Sequence, residues 1–206
     1  MVFINIMTER YRPILKRQER FMMNRQDFIT IFDNIYPHFF EGDNIRNLSK
    51  ERVCEEMVLS LDAFDPTIYD KKLDDRISFG FYTEDLTEIQ KKADLVSPGW
   101  GPLYNGTLRI YCGYMDGEAV SFCLIDEMGT HCIGGKEIKV GGPGCVGTLP
   151  AYRHKGIGLM MVKQVTQILK DEGYDISFIH YTGVAPWYEK LGYKTVLKWN
   201  RDGFLD

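Results

Sequence analysis

The stretch VGGPGCVGTLPAYRHKGIGLMM, residues 140–161, carries two glycine clusters back to back. Gly142 to Gly147 spells GxGxxG and Arg153 to Gly158 spells RxxGxG. Either offers bare backbone amides to a phosphate, and the choice between them decides the fold. A dinucleotide fingerprint needs a strand before it, a helix opening at its third glycine and an acidic residue about twenty positions on. Here Thr148-Leu149-Pro150 follows Gly147, and Pro150 holds Leu149 extended. A P-loop needs lysine where Thr148 stands. The first cluster therefore reads as a strand bulge or bend, with glycine supplying unusual dihedrals. The second lies at a strand-to-helix junction. The first amides of a helix have no internal partner and carry the positive end of its dipole, so an anion there meets several aligned donors. Gly156 and Gly158 let backbone come close, and Arg153 and Lys155 add charge.

Working outward, residues 157–171 predict an amphipathic helix with Leu159, Val162, Val165 and Leu169 on one face, closed by Gly173. Residues 176–181 read as a buried strand, 185–191 as a short helix with Pro186 in its first turn and Gly192 past its end, and 193–199 as a last strand. Upstream, 107–114 and 119–125 predict a hairpin turning at Asp116-Gly117. Residues 138–140 and 145–148 read as pieces of a further strand, interrupted by 141–144. Residues 77–82 predict a strand and 87–95 a helix. The fold class is α/β with a mixed sheet.

The first seventy residues read helical, over 10–23, 24–39 and 50–63. Pro37 frays the second helix. Ser49 caps the third, on which Val53, Met57 and Leu61 recur at helical spacing.

The 206 residues suffice for one domain with a good core, 44% hydrophobic and 26% charged. A net charge of −4 argues against sequence-independent nucleic-acid binding, and the basic cluster of Arg10, Arg12, Lys16, Arg17 and Arg20 reads as a solvated helix face. No apolar run reaches the roughly 20 residues of a membrane span. The opening Met1–Met7 is too short for a signal-peptide core, so a cytoplasmic protein without membrane contact is expected. Five cysteines, an odd number, are expected to be reduced packing thiols, with Cys112, Cys123, Cys132 and Cys145 in strand-like settings. His131-Cys132 with Cys123 has poor ligand spacing, and no metal is expected.

Residues 146–158 resemble the acyl-CoA-binding motif of the GNAT superfamily of N-acetyltransferases: a strand, a proline turn, then [R/Q]xxGx[G/A]. Residues 187–193, WYEKLGY, resemble its second signature, an aromatic-Tyr pair followed by a Gly-aromatic step. The match runs from about Thr107 to Trp199. The resemblance implies a mostly antiparallel mixed sheet, flanked by helices, with a splayed central strand pair. Residues 76–206 would form the catalytic core, with 1–75, mainly helical, packed on it and shaping the acceptor pocket. It further implies acetyl-CoA as cosubstrate. Val146, Gly147 and Thr148 would line the pantetheine arm, and Arg153, His154, Lys155, Gly156, Ile157 and Gly158 would hold the pyrophosphate. The strand at 176–181 would lie across the gap.

The implied activity is direct transfer of an acetyl group to a primary amine, with a small molecule as the first choice of acceptor and a protein amine as the second, and with Tyr188 as general acid. Trp187 reads as packing. For the base, Glu137, His180 and water stay open, and His131 is a poorer candidate. At His180 the competing reading is a core-edge imidazole satisfied by backbone. Cys145 reads as a packing residue rather than an acyl carrier. A homodimer is compatible with the sequence. The competing function is a non-catalytic acyl-CoA-binding or sensing module, which would keep 153–158 but has no use for a tyrosine at 188.

Overall fold

The computed structural model describes residues 23–206. The helix expected over 10–23, all but its last residue, the basic cluster from Arg10 to Arg20 and the segment Met1–Met7 lie outside the described residues.

Helix α1 (Arg25–Ile35) opens at a capping box. Asn24 accepts from the amides of Gln26 and Asp27, and Asp27 accepts from the Asn24 amide. It ends two residues before Pro37. After α2 (Asp43–Arg46) come β1 (Cys54–Ser60) and β2 (Ile77–Phe81), then α3 (Leu86–Val96), capped by Asp85. The hairpin β3 (Arg109–Met115) and β4 (Glu118–Ile133) turns where expected. Asp116 at φ 52° and Gly117 at φ 83° supply the left-handed pair that a tight two-residue loop demands. Strand β5 (Lys136–Thr148) leads through a short 3₁₀ turn into α4 (Ile157–Asp171), followed by β6 (Ile176–Thr182), α5 (Ala185–Tyr188), β7 (Lys194–Asn200) and β8 (Gly203–Leu205).

The eight strands form one sheet in the order β2-β3-β4-β5-β6-β1-β7-β8. Every neighbouring pair is antiparallel except β5 and β6, which pair in parallel only at Val140–Ile176 and Gly141–Ser177. Beyond Gly141 the two strands part, giving the splayed central pair. Helix α4 covers one face, where Leu159 and Val162 pack with Met57, Leu59 and Ile179, and Met161 and Val165 with Cys123 and Ile125. Helices α1 and α3 cover the other: Ile31 and Phe32 pack on Val140 and Phe178, and Ile89 and Ala93 on Ile110, Phe122 and Leu124.

Several expectations need correction. Residues 50–63 do not form a helix: 54–60 is β1, inserted between β6 and β7 in the sheet's interior, so the 1–75 segment is not mainly helical there. Ser49 bonds the Glu51 carboxylate instead of capping. The strand hid from its pattern because Glu56 is a fully buried polar side chain and because a bulge near Glu56 sets Glu56 and Met57 both inside, breaking the period of two.

Residues 141–144 do not interrupt the strand either; β5 runs through them. Gly141 and Gly142 are required by close approach rather than by dihedral angle. A Cβ on Gly142 would fall 1.8 Å from the Phe178 carbonyl oxygen, and one on Gly141 would fall 2.8 Å from the Tyr174 ring. The left-handed residue of the bulge is Cys145, at φ 47°. Cys54, Cys112 and Cys123 are buried free thiols, but Cys132 is exposed and packs nothing. The helix expected over 185–191 is α5 followed by a 3₁₀ turn at Glu189–Leu191.

Candidate active site

Helix α4 begins at Gly156, whose φ of 92° only glycine adopts at ease and which has no side chain to cap with. The first bond of the helix is Met160 N–H to the Gly156 carbonyl, 3.1 Å. The amides of Ile157, Gly158 and Leu159 have no acceptor among the described residues. They open on a cavity of about 480 Å³ between β5, the start of α4 and α5.

One wall is Val146 and Thr148, alternate residues of β5 on the α4 side, and the far wall is Trp187 and Tyr188. Arg153 and His154 lie at the end where α4 begins, with Arg153 Nε donating to the Thr148 carbonyl at 3.1 Å. Two residues expected to bind do not line the cavity. Gly147 turns away from the cavity: a Cβ there would meet the Phe122 ring at 2.6 Å, and its carbonyl accepts Ser121 Oγ–H. Lys155 lies over the Tyr152 ring, 5.0 Å from its centroid, and does not line the cavity. Ile157 contributes its amide alone, since its side chain is buried with Met115 and Val120.

In place of Lys155 the structure brings Lys71 and Lys190. Lys71 arrives because the preceding loop is tied to α4: Lys163 donates to the Tyr69 carbonyl at 2.8 Å and Lys170 to that of Phe64 at 2.9 Å. Lys71 Nζ then reaches the His154 carbonyl at 3.5 Å. No pattern in the sequence announces a residue more than eighty positions from the loop it serves. Lys71, Arg153 and Lys190, with three aligned amides, make this end suited to a polyanion.

Tyr188 packs among Met57, Leu59, Leu191 and Tyr193, edge-on to Trp187 at 4.7 Å. Its hydroxyl has no hydrogen-bond partner among the described residues, and burial, then the neighbouring Tyr193, pushes its pKa far above that of an ordinary phenol. The Tyr193 hydroxyl is held between Thr166 (2.8 Å) and Ser177 (2.7 Å), which pins the floor beneath Tyr188 to both α4 and β6.

Of the candidate bases, Glu137 and His131 sit at the β4–β5 turn end of the sheet, up to about 30 Å along the strand from Val146. His131 Nε2 is already taken by the Met128 carbonyl at 2.9 Å. His180 lies by the split, and its partner is not backbone: Nδ1 is 3.0 and 3.1 Å from the Glu56 carboxylate oxygens. Cys145 also lies at the split, its thiol pushed up to about 11 by burial and then by Asp126. Among the described residues no group of three metal-ligating side chains converges, and no helix is long and apolar enough to cross a membrane.

A family model described as "Acetyltransferase (GNAT) domain" matches residues 77–196. No curated protein matches the sequence. Among solved structures, the GCN5-related glucosamine N-acetyltransferase region of a fungal multi-domain GH3 β-N-acetylglucosaminidase superposes with a TM-score of 0.57 at 19% identity, over 73% of this chain and 20% of that one. A GCN5-related N-acetyltransferase from Sphaerobacter thermophilus gives 0.51 at 19% identity, over 70% of this chain and 48% of its own. The chain thus spans a fifth of the first and less than half of the second, and the likeness is one of fold.

Proposed function

The chain belongs to the GNAT acetyltransferase family, and from that premise we propose that it moves an acetyl group from acetyl-CoA to a primary amine on a small molecule, by direct attack. The observation that carries this reading is one cavity that has, at one end, helix amides and, at its wall, the Tyr188 hydroxyl, all without partners among the described residues.

The amides of Ile157, Gly158 and Leu159, with Lys71, Arg153 and Lys190, suit the pyrophosphate. Val146 and Thr148 present the strand edge that β6 leaves unpaired beyond Gly141, where amide groups of a pantetheine arm find partners. Bound acetyl-CoA supplies an activated acyl carbon and a thiol leaving group. Tyr188 stays protonated at every physiological pH because burial disfavours its phenolate, so it holds a proton ready for the departing sulfur. A free alkyl amine, with a pKa of about 10.4, arrives as ammonium and must give up a proton before it can attack. Proton transfers of this kind contribute about 10²–10⁴-fold. A protein that only sensed CoA would have no use for the Tyr188 hydroxyl.

The test has two steps. Acetyl-CoA is expected to raise the melting temperature, and a panel of primary amines is then screened for CoA thiol release. Stabilisation without release by any amine would favour the sensing module.

A further inference from the structure

Gly144 on β5 and the buried Glu56 on β1 are both left unexplained by cofactor binding, and His180 lies on β6, between those two strands. The last paired residues of β5 and β6 are Gly141 and Ser177, which follow Val140 and Ile176 in register. Carried three residues further, that register sets Gly144 level with His180, past the point where pairing has ended. A Cβ at Gly144 would meet nothing within 4 Å, so open space lies beside it. His180 follows Ile179, which packs towards α4, so its ring lies on the sheet face that carries α1. The side chain is 22% exposed.

Aromatic rings pack against the imidazole. Tyr36 stacks on it at 4.0 Å and 20°, and Phe39 meets it edge-on at 5.2 Å. Nδ1 is bonded to Glu56, which is fully buried. Glu56 also accepts from Trp199 Nε1 at 2.6 Å and from the Tyr181 amide at 3.2 Å. Both of those partners donate to Oε1, which leaves Oε2 facing His180 Nδ1 alone. Nε2 has no hydrogen-bond partner among the described residues. The other titratable groups around the ring are Asp126 on β4, whose carboxyl burial raises and His180 lowers, and Tyr36 and Tyr181, both pushed up first by burial.

We propose that His180 Nε2 takes the proton of the attacking amine at the split beside Gly144, and that Glu56 is the positioning residue that fixes its tautomer and orientation. The inference rests on the acetyl-transfer reading above. In the step, the amine nitrogen bonds to the acyl carbon and its proton passes to His180 Nε2. The C–S bond breaks, and its electron pair leaves on sulfur, which takes the Tyr188 proton. His180 then releases a proton to solvent and Tyr188 regains one, restoring both.

The test uses the full chain. Nitrogen-15 spectra of the imidazoles are expected to show His180 as the Nδ1–H tautomer. The Nε2–H tautomer in the native protein would overturn the proposal. Thiol release is then followed against pH with acetyl-CoA and, separately, 1,4-diaminobutane, phenethylamine and a lysine-containing peptide. His180→Gln is expected to lower kcat by about 10²-fold or more, within the range for a proton-transfer group, and to remove the acid limb of the kcat/KM profile. Glu56→Gln is expected to move that limb to lower pH while leaving KM for acetyl-CoA unchanged, which a merely structural role would not do. If Glu56→Gln fails to fold, His180→Gln, on a partly exposed ring, decides alone. An unchanged kcat in His180→Gln sinks this inference and leaves acetyl transfer standing. No release from the native protein with any of the three amines overturns both.

Discussion

A Cβ on Gly158 would lie 2.8 Å from Thr148 Oγ1, so α4 begins in direct contact with β5. That oxygen cannot swing aside freely, because it is hydrogen-bonded to Ser121 Oγ at 2.9 Å. The second glycine of RxxGxG thus serves helix-to-strand packing, and through it the placing of the amides. Gly158→Val should cost about 1–3 kcal/mol through overpacking and should weaken acetyl-CoA binding by moving the helix start off the strand. Thermal melts with and without acetyl-CoA measure both effects. A variant as stable as the native protein would refute the contact.

Tyr188→Phe should lower kcat about 10²-fold or more if the phenol is the acid, with acetyl-CoA affinity within about twofold. The hydroxyl has no partner among the described residues, so the variant loses no hydrogen bond and should melt at nearly the same temperature. Because burial pushes this phenol upward, native kcat should show no loss from Tyr188 ionisation up to pH 9. Steady-state kinetics across pH would check this, and an unaltered kcat would remove Tyr188 as the acid.

Cys145 occupies the bulge beside the split with its thiol pushed up to about 11. At neutral pH it is almost entirely the un-ionised thiol, a poor nucleophile. Cys145→Ser should therefore retain most of the transfer rate, and mass spectrometry of the native protein with acetyl-CoA should find no acetylated Cys145. An acetyl group trapped there would show a two-step route.

Asp126 has no hydrogen-bond or ion-pair partner among the described residues, and burial raises its carboxyl above the ordinary value, with His180 opposing and Glu127 adding. A carboxyl whose folded pKa exceeds its unfolded one, about 3.9, binds more protons when folded. Stability therefore falls as pH rises through that window, and the penalty persists above it. Asp126→Asn should melt higher than the native protein at pH 7–8, by a margin that closes as pH falls towards 4. Melting curves over this range test the sign, and a variant less stable at pH 8 would contradict it.

The start of α4 was legible because it is built within one short stretch. Gly156 and Gly158 follow a proline turn, and the helix beyond runs over Ile157–Asp171, where its periodicity places it. The hairpin at Asp116-Gly117 was legible for the same reason, since local turn chemistry alone dictates it. That Lys155 and Gly147 do not line the cavity was not legible, because sequence gives a residue's position along a motif but not the direction in which it faces.

What the sequence determined by itself is therefore local: turns, caps, the α4 stripe and the bare amides at its start. Tertiary structure decided the rest. The strand at 54–60 is specified by its neighbours β6 and β7 and by a buried carboxylate that makes its pattern unreadable in isolation. The approach of Gly142 to Phe178, the arrival of Lys71 at the helix start and the pairing of Glu56 with His180 join positions from 36 to 124 residues apart. Burial and close approach between distant segments have no signature along the chain, because they are properties of the packed sheet and not of either segment alone.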